Sequence, residues 1–248
     1  MTTAADLADL RAARDRVVGQ IAAACARSGR SPADVTLVAV SKTVSSERVQ
    51  TAFEAGFTRF GENRVQEGEG KSAAVPGATW DLIGPLQSNK AKRAIQAFDT
   101  IQTVDSVSLA ERLERLAAER GSDHRYPVLL QVNVDRDEAK AGFLPDSLTA
   151  AVDTFRRLDL LEIRGLMTVG RLVALPEDAR TTFVGLRTLS EQLRRAWPEL
   201  GPELSMGMTD DYPVAVEEGA TIVRVGRAIF GERPHHDDHA EGPAAHEH

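Results

Sequence analysis

The sequence predicts a single (β/α)8 barrel of the TIM type with an extra helix at its amino terminus. Eight short apolar segments alternate with segments of helical spacing, which implies a parallel sheet. The chain has 248 residues, close to the ~250 of one such barrel. No Pro- or Gly-rich linker divides it, so residues 1–233 are expected to form one domain. An open doubly wound sheet is the structural alternative. No Gly-x-Gly-x-x-Gly follows the first strand, which weakens a dinucleotide-binding version of it.

Residues 4–28 read as an amphipathic helix, with Leu7, Leu10, Val17, Val18 and Ile21 on one stripe and Cys25 near it. Cys25 is expected to fill core space rather than react. Ser28-Gly29-Arg30-Ser31-Pro32 ends the helix. Strands are expected at Val35–Val40, Thr58–Gly61, Thr79–Gly84, Thr100–Val104, Val128–Val134, Glu162–Met167, Leu204–Met208 and Thr221–Gly226. Between them, Val49, Ala52 and Phe53 mark one helix. Ala91, Ala94, Ile95 and Phe98 mark another, with Ser88 as its N-cap. Leu109, Leu113 and Leu116 follow Ser106, and Leu148, Val152 and Phe155 follow Asp146. Phe183, Leu186, Leu189, Leu193 and Trp197 mark a long helix, and Val214–Val216 lead to Gly219 as a C-cap. Residues 64–75 are polar and contain glycine, so periodicity supports a helix there least.

Composition excludes several functions. A net charge of −7 argues against a nucleic-acid or membrane surface, both of which need a basic face. The single cysteine cannot form an internal disulfide, and no apolar run nears the ~20 residues of a membrane span. With no signal-peptide pattern at the amino terminus, a cytoplasmic protein is expected. Of the six histidines only His124 precedes residue 235. The body therefore lacks the histidines of most metal hydrolases and nucleophile–base pairs, and no metal site is expected. Residues 234–248 are expected to be a disordered His-rich tail.

In a barrel of this kind, functional residues sit at the carboxyl ends of the strands. There the first strand delivers Lys42, within Val40-Ser41-Lys42-Thr43. An amine at that rim, partly desolvated, is a nucleophile towards aldehydes. A lysine snorkelling to water is the plainer alternative. The last two strands deliver Ser205, Thr209, Arg224, Gly226 and Arg227. The loops after strands seven and eight often hold phosphate, and these residues supply hydroxyls and backbone amides. Arg224 alternates with Val223 and Val225, so it points into the barrel if the valines pack outward. Tight packing of Ser205, Gly207 and Gly226, and a salt bridge from Arg224 to a carboxylate such as Glu62, stand against this. A lysine, a phosphate cradle and an inward arginine in one barrel mouth together suggest pyridoxal 5′-phosphate.

Val40-Ser41-Lys42-Thr43, Phe60-Gly61-Glu62-Asn63-Arg64-Val65-Gln66-Glu67, Ile83-Gly84-Pro85-Leu86-Gln87-Ser88-Asn89-Lys90, Gly165-Leu166-Met167, Leu204-Ser205-Met206-Gly207-Met208 and Val223-Arg224-Val225-Gly226 occur in this order. In these motifs the chain resembles the pyridoxal 5′-phosphate homeostasis proteins (the YggS or proline-synthetase-co-transcribed family), from about residue 5 to residue 233. That family resembles the N-terminal barrel of alanine racemases without their β-rich second domain. The resemblance implies a Schiff base on Lys42, Asn63 beside the cofactor ring, and Arg224 facing the pyridine nitrogen. It also implies a phosphate held by Ser205, Thr209 and the amides of Gly226 and Arg227. Members often carry serine in place of Thr209, which keeps the hydroxyl, and threonine in place of Arg227, which does not.

The expected function is therefore a non-catalytic carrier or buffer of pyridoxal 5′-phosphate in vitamin B6 and amino-acid homeostasis. It would work as a monomer serving cofactor-dependent client enzymes. The alternative is an amino-acid racemase. Racemisation needs a second base opposite Lys42, and alanine racemases take a tyrosine from the other subunit. This chain has two tyrosines, Tyr126 before a strand at the far end and Tyr212 at a helix start. An always-charged Arg224 at the pyridine nitrogen would also blunt the electron sink. Lys140, on the rim after strand five, is either a second, transient attachment point for the cofactor or a solvated loop lysine.

Overall fold

In the computed structural model, described for residues 3–121, 124–171 and 173–231, eight parallel strands close into a barrel in sequence order. The expected tail at 234–248 lies outside the described residues. The strands are β1 (Thr36–Val40), β2 (Arg59–Glu62), β3 (Thr79–Leu82), β4 (Thr100–Val104), β5 (Tyr126–Gln131), β6 (Leu161–Met167), β7 (Glu203–Ser205) and β8 (Ile222–Val225). Around them run α1 (Ala4–Ser28), α2 (Ser46–Glu54), α3 (Val65–Ala74), α4 (Ala91–Ala97), α5 (Val107–Arg120), α6 (Pro145–Phe155), α7 (Arg180–Ala196), α8 (Tyr212–Glu217) and a single turn, α9 (Arg227–Phe230). Closure comes from β8 pairing with β1, Val38 opposite Arg224. The open-sheet alternative is thereby excluded.

Each strand expected from the apolar runs is present, most of them a residue or two shorter or shifted. Cap chemistry explains most helix ends. Thr3 and Ser106 accept hydrogen bonds from Asp6 N and Leu109 N, and Gly29 and Gly121 end α1 and α5 in the left-handed region. Gly219, expected as a C-cap, lies one residue past the observed cap of α8, Glu218, and two residues expected at helix starts are not caps. Ser88 opens a 3-10 turn, Ser88–Lys90, and α4 starts three residues later with no side-chain cap. Asp146 lies inside the first turn of α6, because Pro145 takes the helix start, where its missing N–H costs nothing. The polar segment 64–75 is helical. Buried Val65, Gly68 and Lys71 hold it against the barrel, with Gly68 leaving room for the Phe98 ring.

The main core lies between strands and helices and includes Val223, Val225 and Cys25. A second, small cluster of Val38, Leu129, Met167 and Ile222 occupies the barrel interior. The interior also holds the polar side chains of Asp81, Gln102, Ser205 and Arg224. Gly61 makes room there, since a Cβ would stand 2.8 Å from Val38 and 2.9 Å from Ile83.

Candidate functional site at the barrel mouth

β1 ends at Val40, and the next four residues form a tight turn closed by Val44 N donating to Ser41 O at 2.9 Å. Lys42 and Thr43 are its central residues. Thr43 adopts φ 66°, a left-handed conformation that a β-branched side chain resists. The turn is held from behind. Lys71 on α3 donates from Nζ to Ser41 O at 2.8 Å and to Glu62 Oε1 at 2.6 Å, and Ser41 Oγ donates to the same carboxylate at 2.8 Å. Thr43 N donates to Glu67 Oε2 at 3.4 Å. Lys42 is therefore presented at the apex of a braced loop, partly exposed.

Lys42 shares a cavity of about 230 Å³ with Val40, Thr43, Val44, Gly226, Arg227 and Phe230, between the ends of β1 and β8. That volume suits a small cofactor more than a large substrate. Gly226 N donates to Thr209 Oγ1 at 3.2 Å, which ties the loops after β7 and β8 to each other. Arg227 pairs with Asp210. Thus Lys42, Gly226 and Arg227 face one space, and Thr209 adjoins it through Gly226. Asn63 follows β2 at the same end of the barrel, its amide donating to Glu62 Oε2 at 3.3 Å. Its backbone is pressed against Gly84, where a Cβ would lie 2.3 Å from Asn63 O.

Ser205 and Arg224 sit deeper. Ser205 is fully buried and donates from Oγ to Gln102 Oε1 at 2.6 Å. Its hydroxyl hydrogen, expected on a phosphate, is committed inside the barrel. Arg224 points inward as its alternation implied, donating to Ser205 Oγ at 2.6 Å and to Thr168 O at 2.7 Å. The expected alternative partner, Glu62, faces the helix layer and binds Lys71 instead. Burial pushes the Arg224 guanidinium down to about 10, with Asp211 the charge that opposes the shift. Burial also raises the Asp211 carboxyl, although Met208 N donates to it at 2.6 Å.

Both tyrosines are engaged elsewhere. Tyr126 is the first residue of β5, not a residue before it, and its hydroxyl donates to Phe98 O at 2.8 Å. Tyr212, 2 % exposed, donates to Gln20 on α1. Lys140 Nζ donates to Gly170 O at 3.0 Å and Val169 O at 3.4 Å, and does not line the Lys42 cavity. Among the described residues no cluster of His, Cys, Asp and Glu could hold a metal ion, and no helix is long and apolar enough to cross a membrane.

Sequence reasoning placed Thr168 at the end of strand six but missed Lys71 and Gln102. Lys71 carried a signal, since Glu67 and Lys71 stand four apart on a polar helix. Gln102 had none, lying in a strand identified only by its apolar neighbours.

Comparison with known proteins agrees with this geometry. Residues 18–234 match the family model described as alanine racemase, N-terminal domain. The pyridoxal phosphate homeostasis protein of Aquifex aeolicus is 38 % identical over 220 residues, covering 88 % of this chain and 96 % of that protein. A solved structure of a protein from Bifidobacterium adolescentis, described as unknown, superposes with a TM-score of 0.86 at 35 % identity, over 93 % of this chain and 98 % of its own. PipY of Synechococcus elongatus, solved with PLP bound, superposes with a TM-score of 0.75 at 42 % identity, over 85 % of this chain and all of its own (100 %).

Proposed function

The chain belongs to the alanine racemase N-terminal domain family, among the pyridoxal phosphate homeostasis proteins, and from that membership we propose that it binds pyridoxal 5′-phosphate reversibly as a carrier or buffer. One observation carries the reading: Lys42 and the loop after β8 line the same small cavity. When bound, the cofactor supplies an aldehyde, and the Lys42 amine condenses with it to a Schiff base and releases one water. In this reading Thr209 and the Arg227 amide would hold the phosphate, the Gly226 amide joining them by exchanging its bond to Thr209 for one to the phosphate, with Asn63 beside the ring. Arg224, held below by Ser205 and Thr168 O, would face the pyridine nitrogen. Ser205 contributes by holding Arg224, because its hydroxyl is already bonded to Gln102. The residues fit the group in charge and in size.

The carrier reading is preferred to racemase chemistry because neither tyrosine can serve as a second base where it stands. Tyr212 is bonded to α1 and Tyr126 to a backbone carbonyl. A permanently charged arginine under the ring also disfavours carbanion stabilisation. One chain supplies every residue named here, consistent with action as a cytoplasmic monomer that hands cofactor to client enzymes. The test is the visible spectrum of the purified protein with added pyridoxal 5′-phosphate. A band lost in Lys42→Ala, with borohydride reduction fixing the label on Lys42, is the expected result. Rapid turnover of an amino acid by the pure protein would overturn the carrier role.

A further inference from the structure

Beneath the mouth a hydrogen-bonded chain crosses the barrel interior. Arg59 on β2 donates from Nε and Nη2 to the two oxygens of Asp81 on β3, at 2.8 and 3.0 Å. Gln102 on β4 donates from Nε2 to Asp81 Oδ2 at 2.7 Å. Ser205 on β7 donates to Gln102 Oε1 at 2.6 Å, and Arg224 on β8 donates to Ser205 Oγ at 2.6 Å. Asp81, Gln102 and Ser205 are fully buried and Arg224 is 4 % exposed.

The chain has a direction. A carboxylate gripped by a guanidinium only accepts, so Gln102 must offer it the amide NH₂. That leaves the amide oxygen towards Ser205, whose single proton must go to it. The hydroxyl lone pair is then the only thing Ser205 can offer Arg224. Turning the amide over would set its oxygen against the carboxylate and leave the Ser205 proton without its acceptor. Arg224 is thus fixed by a residue two steps away.

We propose that Gln102, oriented by Asp81, is a positioning residue that sets the Arg224 guanidinium and through it the affinity and electronic state of pyridoxal 5′-phosphate at Lys42. This rests on the cofactor reading above. Arg224 stands two residues before Gly226, and its strand partner Val38 two residues before Val40; both Gly226 and Val40 line the cavity.

The test uses full-length protein titrated with pyridoxal 5′-phosphate and followed in the visible band. Gln102→Leu should weaken binding about tenfold, the scale of a lost hydrogen bond to a charged group, and move the band. In an Arg224→Ala background the same change should have no further effect, because the route runs through Arg224. Gln102→Glu provides the readout that bulk packing would not move. A protonated glutamic acid donates to Asp81 and accepts from Ser205 as glutamine does, whereas an ionised one repels Asp81. Its affinity relative to the parent should therefore recover as pH is lowered from 8 to about 5, while the Gln102→Leu ratio stays flat. Should Gln102→Leu fail to fold, the pH ratio of Gln102→Glu decides. A flat ratio for Gln102→Glu, parent-like affinity and spectrum in folded Gln102→Leu, or an undiminished Gln102→Leu effect without Arg224 each overturns the proposal. A parent protein that shows no band at all removes the cofactor reading, and the proposal with it.

Discussion

Lys71 and Glu62 meet at 2.6 Å with side chains 8 % and 0 % exposed, and together they grip Ser41, the residue before Lys42. A buried pair of this kind costs more to break than to replace. Lys71→Met should destabilise the protein by about 3–5 kcal/mol, leaving a carboxylate stranded, and adding Glu62→Leu should recover most of the loss. Urea unfolding of the single and double variants measures both. Equal instability of the two would show that the pair itself is favourable.

Gly84→Ala should injure the cofactor site from outside it. A Cβ there would stand 2.3 Å from Asn63 O and 2.6 Å from Asn63 Cα, so the loop after β2 must move. The expected cost is about 1–3 kcal/mol in stability, together with weaker binding of pyridoxal 5′-phosphate in the spectral titration.

Glu203, at the start of β7, carries a buried oxygen with no hydrogen-bond partner, and burial raises its carboxyl above the usual range. A group whose pKa is raised on folding favours the folded state below its unfolded value. That advantage is lost as pH rises through the folded value. Glu203→Gln should therefore match the parent near pH 4 and exceed it by about 1 kcal/mol at pH 7–8. Urea midpoints at three pH values check the sign.

Arg227→Thr restores the hydroxyl that family members often carry. Arg227 is exposed and its side chain pairs with Asp210 at the surface, so the substitution should leave stability unchanged and cofactor affinity within about threefold. A larger gain would mean that the hydroxyl, rather than the backbone amide, is the contact that counts.

The barrel was legible because its strands are covered on both faces, so most read as apolar runs such as Val128–Leu130, all three residues buried. The meeting of Lys42, Thr209, Gly226 and Arg227 at one end of the barrel was legible because the strand ends of a parallel barrel gather there. Arg224 was placed correctly by alternation alone. The partners of Arg224 were not legible. Glu62 and Gln102 both lie in strands, and which face of a four- or five-residue strand looks inward depends on register and on bulges such as that between Ile101 and Val104. Ser88 misled because a capping residue and the start of a 3-10 turn share the same preference for serine.

The hydrogen bond from Tyr212 to Gln20 joins residues 192 positions apart. Together with the pairing of Arg27 on α1 to Glu217 on α8, it straps the first helix across α8, the helix that begins three residues after Thr209. Shortening α1 would therefore loosen the far side of the barrel from a point nearly the whole chain away in sequence.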